Sequence, residues 1–196
     1  FAGHAGTFFH AADSIRFMRI ISGKFGGRKV NPPSHMPYTR PTTDIAKEGL
    51  FNILQNNIDF EGASTLDLFG GTGSISYELA SRGAAQQVIV EKDPAMHAFI
   101  SKTARELGIE HIRVVKMDVF KFMDSCTEQF DFIFAGPPYA LSTIDDLPKK
   151  VVERQLLKPG GFFVLEHTPR NRYEGYTWFV QERNYGTTVF SFFINR

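Results

Sequence analysis

A glycine-rich segment of the sequence has the residue types of a ligand-binding turn. It reads Leu66-Asp67-Leu68-Phe69-Gly70-Gly71-Thr72-Gly73 and lies between a predicted strand and a predicted helix. Glycine lets the backbone approach a ligand closely, and the start of the helix offers unpaired N–H groups. The spacing is not the G-x-G-x-x-G pattern of dinucleotide-binding turns, and the Asp67 carboxylate would repel a pyrophosphate. We therefore expect a ligand with a positively charged or amine-bearing end.

Acidic residues also end the next two predicted strands. Glu91 lies about 20 positions after the glycine-rich segment, where a carboxylate can accept hydrogen bonds from both ribose hydroxyls of a nucleoside. Asp118 ends the third strand and is similarly placed to accept from an adenine amino group. Either residue alone could be an exposed strand-end acid that binds no ligand. Together with Asp67 they outline an adenosyl pocket at the carboxyl edge of a sheet.

A third motif suggests the reaction. It reads Phe134-Ala135-Gly136-Pro137-Pro138-Tyr139 and closes the fourth predicted strand. Two successive prolines fix φ and expose carbonyl groups that no helix can engage. Tyr139 offers a planar ring on which a flipped base can stack, an interaction of roughly 1 to 3 kcal/mol per base. The alternative interpretation is a plain Pro-Pro turn followed by an aromatic residue that only packs.

Alternating strands and helices position these motifs. Predicted strands cover Ser64 to Phe69, Gln87 to Glu91, Ile112 to Lys116, Phe130 to Ala135 and Gly161 to His167. Predicted helices cover Ser74 to Ser81, Pro94 to Leu107, Val119 to Ser125 and Thr143 to Leu157. Single helices between strands indicate a parallel sheet that is covered on both faces. The last two segments, Thr177 to Glu182 and Thr187 to Ile194, flank a turn at Asn184-Tyr185-Gly186 and predict an antiparallel hairpin.

The region before the first core strand divides into two predicted parts. Residues 1–17 lack the pattern of a signal peptide, and we interpret them as a disordered or non-native extension. Residues 18–60 are predicted to form a basic hairpin, over Arg19 to Val30, and a helix that begins at Ile45 after a cap at Thr43 or Asp44. The residues predicted to share one face of this helix are Ile45, Gly49, Leu50, Ile53 and Leu54. Residues 61–196 then form the catalytic domain.

Basic residues are concentrated near the N-terminus, although the net charge of the chain is only +1. Between Arg16 and Lys47 there are seven basic residues and one acidic residue, Asp44, so the remainder of the chain is net acidic. Clustered Lys and Arg side chains bind the phosphates of nucleic acids. The charge distribution therefore indicates a phosphate-contacting segment, although a solvated basic loop would have the same composition.

Other features exclude several classes of protein and site. No run of 18 apolar residues occurs, so the sequence predicts no membrane span. The single cysteine, Cys126, can form neither an internal disulfide nor a zinc cluster, which favours a reducing, cytoplasmic location. The six histidines are scattered and predict no metal site. Glu166 and His167 are both interpreted as structural residues.

Four segments, in their order and spacing, resemble the bacterial 16S rRNA guanine-N2 methyltransferase (RsmD-type) family. They are RIISGKFGGRKV, RPTTD with LFNIL, LDLFGGTGSIS and the GPPY segment, and the resemblance covers Arg19 to the C-terminus. It implies an α/β, Rossmann-like S-adenosylmethionine methyltransferase fold, with a mostly parallel seven-stranded sheet, a C-terminal antiparallel hairpin and helices on both faces. It further implies methylation of the N2 amino group of a guanine, without a metal. The expected partner is ribosomal RNA or an assembling small ribosomal subunit, and we expect a monomer.

The resemblance also assigns roles to individual residues. Asp67, Gly70 and Gly73 would flank the methionine end of the cofactor, Glu91 its ribose and Asp118 its adenine. The full set expected to bind S-adenosylmethionine is Asp67, Phe69, Gly70, Gly71, Thr72, Gly73, Glu91, Lys92, Asp118 and Val119. The expected catalytic residues, which would hold the target base, are Gly136, Pro137, Pro138 and Tyr139. The residues expected to meet RNA are Arg19, Lys24, Arg28, Lys29, Arg40 and Thr42.

The sequence departs from this family at one catalytic position. The family motif usually begins with Asp or Asn, whereas this chain has Gly136, which supplies no side-chain acceptor. Removing a comparable charge-stabilising group costs about 2.7 to 4 kcal/mol of transition-state stabilisation. Three explanations stay open: the carbonyls of Gly136 and Pro137 suffice, another acid substitutes, or the chain binds RNA without efficient turnover. The alternative functions are a non-catalytic RNA-binding protein and an amino-methyltransferase that acts on DNA or a small molecule.

Overall fold

A computed structural model describes residues 17–34 and 42–196 of the chain. The strands are β1 (Met18–Arg19), β2 (Lys29–Val30), β3 (Ser64–Asp67), β4 (Gln86–Val90), β5 (Ile112–Val115), β6 (Phe130–Ala135), β7 (Leu157–His167), β8 (Phe179–Tyr185) and β9 (Thr188–Ile194). The helices are α1 (Asp44–Leu54), α2 (Ser74–Ser81), α3 (Pro94–Leu107), α4 (Val119–Ser125) and α5 (Asp146–Glu153). Residues 1–16 and Arg40, for which we predicted an extension and an RNA contact, lie outside the described residues.

The main sheet has seven strands in the order β5-β4-β3-β6-β7-β9-β8. The first five of these strands pair in parallel, and β9 pairs antiparallel with both β7 and β8. The predicted mostly parallel sheet with a C-terminal hairpin is therefore confirmed. The strand order reverses between β3 and β6, where ligands bind at the carboxyl edge of open α/β sheets.

Helices cover both faces of the sheet. Successive side chains of a strand point to opposite faces, and on β6 the residues Phe132 and Phe134 contribute to a different core cluster from Ile133 and Ala135. The cluster that contains Ile133 includes residues of α4 and α5, whereas the cluster that contains Phe132 includes residues of α1 and α2. The sheet is thus buried on both sides, as its nearly continuous apolar strands predict.

Helix α1 begins one residue earlier than predicted and turns a different face to the core. Its cap is Thr43, whose hydroxyl accepts the backbone N–H of Ala46 at 3.2 Å. Ile45 does not share the buried face with Leu50 and Leu54, because 78% of its surface is exposed. The core face instead carries Ala46, Lys47, Leu50, Phe51 and Leu54.

Both predicted bounds of the longest predicted helix are wrong. It was expected over Thr143 to Leu157, but α5 covers only Asp146–Glu153. The chain reverses at Gln155, which has a positive φ of 51°, and Leu157 already pairs with Phe130 as the first residue of β7. The final hairpin also begins later than expected, at Phe179, with its tight turn at residues 186–187.

The basic N-terminal hairpin consists of β1, β2 and the turn between them, and it is attached to α2. The buried Glu78 carboxylate accepts the backbone N–H groups of Ile21 at 2.7 Å and Ser22 at 3.1 Å. The Ser81 hydroxyl accepts the backbone N–H of Phe25 at 2.9 Å. The apolar side of the hairpin is buried in a third core cluster with residues of α2, β4 and α3. The predicted hairpin is therefore confirmed, and it packs against α2, β4 and α3.

Candidate active site

The carboxyl ends of five parallel strands bring the candidate residues to one edge of the sheet. Asp67 is the last residue of β3, Glu91 directly follows β4, and Gly136 directly follows β6. Glu166 is the penultimate residue of β7, which lies beside β6. These residues therefore lie at the expected edge of the sheet, together with Glu166, which the sequence analysis interprets as structural.

The glycine-rich turn has a shape that side chains would obstruct. Gly73 adopts a left-handed conformation with φ of 82° and forms the N-cap of α2, and a Cβ atom there would overlap the ring of Tyr77. A Cβ atom at Gly70 would overlap the side chain of Ile89. The backbone N–H of Gly73 donates to the Gly70 carbonyl at 2.7 Å and closes the turn. The turn therefore brings bare backbone to the start of a helix, as a ligand cradle requires.

Asp67 is a buried carboxyl group at the base of this turn. Its Oδ2 accepts the Ser76 hydroxyl at 2.9 Å, and its Oδ1 is buried without a hydrogen-bond partner among the described residues. Burial raises the pKa of Asp67, and the nearby carboxylates of Glu91 and Glu166 add to this effect, whereas the Ser76 hydroxyl and the Phe69 backbone oppose it. The resulting pKa is about 7. An unsatisfied buried carboxyl oxygen is costly, and a cationic ligand would compensate it.

Glu91 connects the glycine-rich turn to the end of β4. Its Oε2 accepts the backbone N–H of Gly71 at 2.8 Å, and its Oε1 accepts the backbone N–H of Asp93 at 2.8 Å. These two hydrogen bonds fix the carboxylate in one orientation. Each oxygen of a carboxylate has two lone pairs, so the same group can still accept hydrogen bonds from a ribose.

The GPPY segment follows β6 next to the end of β7. Ala135 pairs with Leu165, so Gly136 and Glu166 follow one step further along the two strands. A Cβ atom at Gly136 would lie 3.5 Å from Glu166 Oε2 and 3.0 Å from Phe134 Cε1. Pro137 is buried and Pro138 is partly buried. Tyr139 is 39% exposed, with its hydroxyl 3.4 Å from Thr188 Oγ1.

Thr42, which is expected to contact RNA, lies at this site. Its hydroxyl donates to Glu166 Oε2 at 2.6 Å. Thr42 thereby connects the start of α1 to the carboxyl end of β7. The rule that identified Glu91, an acid at the end of a parallel strand, applies equally to Glu166. Sequence reasoning missed it because the neighbouring His167 suggested a structural pair.

Lys47 is a second residue that sequence reasoning placed incorrectly. It counted as part of the basic segment, yet only 1% of its surface is exposed. Its Nζ donates to the Arg19 carbonyl at 2.6 Å and to Ser74 Oγ at 3.1 Å, and burial lowers its pKa. Lys47 therefore holds the end of β1 beside the first residue of α2, which directly follows the glycine-rich turn.

The exposed basic side chains are arranged along the hairpin. Arg19, Lys24, Arg28 and Lys29 are all exposed. Lys24 and Arg28 each lie 5.4 Å from the centre of the Phe25 ring, and Lys29 lies 4.2 Å from the centre of the Phe17 ring. Because Lys47 fixes the Arg19 backbone next to Ser74, this cationic surface begins beside the glycine-rich turn.

Among the described residues, two of those expected to bind the cofactor form no hydrogen bond or ion pair with the main candidate residues. Asp118 is exposed and caps α4, since its Oδ1 accepts the backbone N–H of Lys121 at 3.2 Å. Lys92 is also exposed, whereas Val119 is buried. No hydrogen bond or ion pair joins Asp118 or Lys92 to Asp67, Glu91 or Gly136 in the described part of the chain.

Neither a metal cluster nor a membrane span is found in the described parts of the chain. Within residues 17–34 and 42–196, no group of three or more His, Cys, Asp or Glu side chains is arranged to hold a metal ion. None of the described helices combines the length and the apolar character needed to cross a membrane.

Comparison with known sequences identifies relatives over most of the chain. Residues 18–194 match the family described as Conserved hypothetical protein 95. The Bacillus subtilis protein YlbH is 32% identical over 154 residues, which are 76% of this chain and 82% of that protein. Ribosomal RNA small subunit methyltransferase D of Haemophilus influenzae is 31% identical over 153 residues, covering 76% of this chain and 78% of that protein.

Comparison with solved structures also identifies relatives over most of the chain. A hypothetical protein of Thermus thermophilus superimposes with a TM-score of 0.78 at 28% identity, covering 90% of this chain and 98% of that chain. A 16S rRNA N2 methyltransferase of the same species, in complex with AdoMet and guanosine, has a TM-score of 0.64 at 26% identity. That alignment covers 79% of this chain and 44% of the other. The chain therefore belongs to the Conserved hypothetical protein 95 family, the RsmD family, which includes ribosomal RNA small subunit methyltransferases.

Proposed function

We propose that this chain transfers a methyl group from S-adenosylmethionine to the exocyclic N2 amino group of a guanine in 16S ribosomal RNA. The observation that carries the proposal is the family match over residues 18–194, because it includes both the glycine-rich turn and the GPPY segment. The structural relative that binds AdoMet and guanosine supports a guanine target, since its alignment covers 79% of this chain.

The residues at the carboxyl edge fit S-adenosylmethionine. When bound, this cofactor supplies a methyl group on a positively charged sulfur. Asp67 is buried with one unsatisfied oxygen, which suits the ammonium group at the methionine end of the cofactor. Glu91 is held by the backbone N–H groups of Gly71 and Asp93 and would accept from the ribose, and Asp118 would accept from the adenine.

The remaining residues would orient the target RNA. Pro137 and Pro138 would fix the course of the chain after β6, where the Pro138 carbonyl accepts the backbone N–H of Leu141 at 2.9 Å. The exposed ring of Tyr139 would stack on the extruded guanine. A guanine amino lone pair is delocalised into the ring, so catalysis consists largely of aligning that nitrogen with the methyl group and assisting loss of its proton. The exposed cations of the hairpin would contact phosphates of ribosomal RNA or of an assembling small subunit.

The decisive experiment measures transfer of labelled methyl groups to small-subunit particles and to naked rRNA that lack this modification. We expect label in N2-methylguanosine, identified by mass spectrometry of the digested RNA. Label in another methylated nucleoside would contradict the guanine assignment while retaining the enzyme class. No transfer to either substrate, from this protein or from a Gly136→Asp variant, would contradict the rRNA assignment.

Gly136 favours a second candidate function, a non-catalytic RNA-binding protein that retains the fold. This alternative predicts equal RNA affinity with and without S-adenosylmethionine, and no methyl transfer until an acid is restored. The same labelling assay with Gly136→Asp separates the two functions, because an active unaltered protein is incompatible with the second.

A further inference from the structure

Glu166 occupies the space that the missing acid of the GPPY motif would enter. The register of β6 and β7 places Gly136 beside Glu166, and Oε2 of Glu166 lies 3.5 Å from the position of a Cβ atom at residue 136. An Asp or Asn at residue 136 would therefore begin in contact with the Glu166 carboxylate. In this chain the carboxyl group reaches the position from the neighbouring strand.

The surroundings of Glu166 are those of a fixed, water-poor acceptor. Only 6% of the residue is exposed, and the Thr42 hydroxyl donates to its Oε2 at 2.6 Å. Its charge acts on Asp67, so the carboxylate also lies near the turn that is expected to hold the cofactor. A carboxylate has about four acceptor positions, and the Thr42 hydroxyl uses one of them.

We propose that Glu166 is the catalytic acceptor for the guanine amino group, in place of the acid that Gly136 lacks. The proposal rests on the proposed function. As the amino nitrogen forms a bond to the methyl carbon, the carbon–sulfur bond breaks and its electron pair stays on sulfur, which becomes neutral. The nitrogen would then carry a positive charge, and the Glu166 carboxylate stabilises this charge and takes the proton. Thr42 acts as a positioning residue that fixes the carboxylate.

The first test compares Glu166→Gln with the unaltered protein in the labelling assay. We expect kcat to fall by about 100- to 1000-fold, the usual cost of a lost acid–base or charge-stabilising group. The dissociation constant for S-adenosylmethionine, measured by calorimetry without RNA, should not increase, because loss of the Glu166 charge favours ionisation of Asp67. Glu106→Gln is the matched control, because Glu106 is exposed on α3 in an ion pair with Lys102. Full activity of Glu166→Gln would overturn the proposal.

The second test separates a catalytic role of Glu166 from a structural one. The Gly136→Asp substitution restores the usual acid, and its Cβ requires the Phe134 ring to move by a few tenths of an ångström. In that background Glu166→Gln should cost less than about tenfold, because the introduced carboxylate would provide the missing acceptor and leave less than about 1.4 kcal/mol to lose. An equal loss of kcat in both backgrounds would show that Glu166 only supports the fold.

The controls distinguish failure of this proposal from failure of the proposed function. Methyl transfer that appears only after Gly136→Asp would overturn the catalytic role of Glu166. It would still support the proposal that this fold methylates rRNA. No transfer from either protein would overturn the proposed function and this proposal with it. Thr42→Val should lower kcat and leave cofactor affinity unchanged, whereas Thr42→Ser, which keeps the hydroxyl, should restore kcat. Failure of Thr42→Ser to restore kcat would overturn the positioning role of Thr42.

Discussion

Asp67 shows how one buried carboxyl group can couple cofactor binding to pH. Its raised pKa of about 7 means that the carboxyl group is only about half ionised at neutral pH in the absence of the cofactor, because burial disfavours the charged form. The folded state binds this proton more tightly than the unfolded state does. The resulting contribution to the free energy of unfolding is full below the unfolded pKa near 4 and is lost as the pH rises through about 7.

We predict that S-adenosylmethionine binds about tenfold more weakly at pH 6 than at pH 8, because a cationic ligand requires ionised Asp67. Calorimetry in buffers with different ionisation enthalpies should show proton release near neutral pH. Asp67→Asn should bind more weakly and lose the pH dependence. Glu91→Gln should retain it, although it removes a neighbouring charge. An affinity that does not change between these pH values would disprove the assignment.

Among the elements, the N-terminal hairpin depends on a buried charge in α2. The Glu78 carboxylate accepts two backbone N–H groups of the hairpin and the Nε of Arg82, and it is fully buried. Hydrogen bonds to charged groups contribute more than neutral ones. The hairpin is therefore held by an element more than fifty residues away along the chain.

We predict that Glu78→Gln lowers the free energy of unfolding by about 1.5 to 3 kcal/mol, since a neutral amide replaces a charged acceptor. Urea denaturation measures the loss. Hydrogen exchange should become faster at the Ile21 and Ser22 amides, whereas the amides of β6 should change less. Glu106→Gln, at an exposed ion pair, should cost under about 1 kcal/mol. Equal losses for both variants would contradict the anchoring role.

The sequence predicted some elements accurately because their ends carry local signals. Helix α3 begins after the Asp93 cap with Pro94 and ends at Gly108 in a left-handed conformation, and its predicted bounds match the structure. Helix α5 was overextended because Leu156 and Leu157 continue its apolar pattern. The chain changes direction at Gln155 without a glycine, so the usual sequence signal for the end of a helix is missing.

The position of a candidate site residue could be predicted from the sequence only where it follows from the end of a single strand. Asp67 and Glu91 follow from the strand-end rule, and the structure places both at the expected edge. The burial of Lys47 and the contact of Thr42 with Glu166 depend on partners that are distant along the chain. Such partners become visible only when strand order and register are known.

Across the whole molecule, positive and negative charges are concentrated in different regions, although the net charge is small. The net charge is +1, yet the hairpin exposes several cations beside the glycine-rich turn while the rest of the chain is net acidic. An overall weak field makes non-specific binding modest, and the local cations would dominate contacts with RNA phosphates.

We predict that replacing Lys24, Arg28 and Lys29 together with Ala weakens rRNA binding and reduces the salt dependence. The slope of log K against log salt concentration should fall by about 2 to 3, because each phosphate contact contributes about 0.7 to 0.9. Filter binding over a range of salt concentrations measures the slope, and the cofactor dissociation constant should not change. Replacing Lys102, Lys149 and Arg183, which lie on other elements, is the matched control. A slope that is unchanged in the hairpin variant would remove this surface from the RNA interface.

The position of β9 between β7 and β8 has a consequence for synthesis of the chain. Strand β9 pairs directly with β7, and Phe190 is the partner of Glu166. A nascent chain that has not yet released residues 188–194 therefore presents β7 as an open edge, with apolar side chains on both faces. Translation that stops before Thr188 would leave a product prone to join other chains through that edge. Pairing of β9 with β7 therefore covers this edge and at the same time places Phe190 beside Glu166.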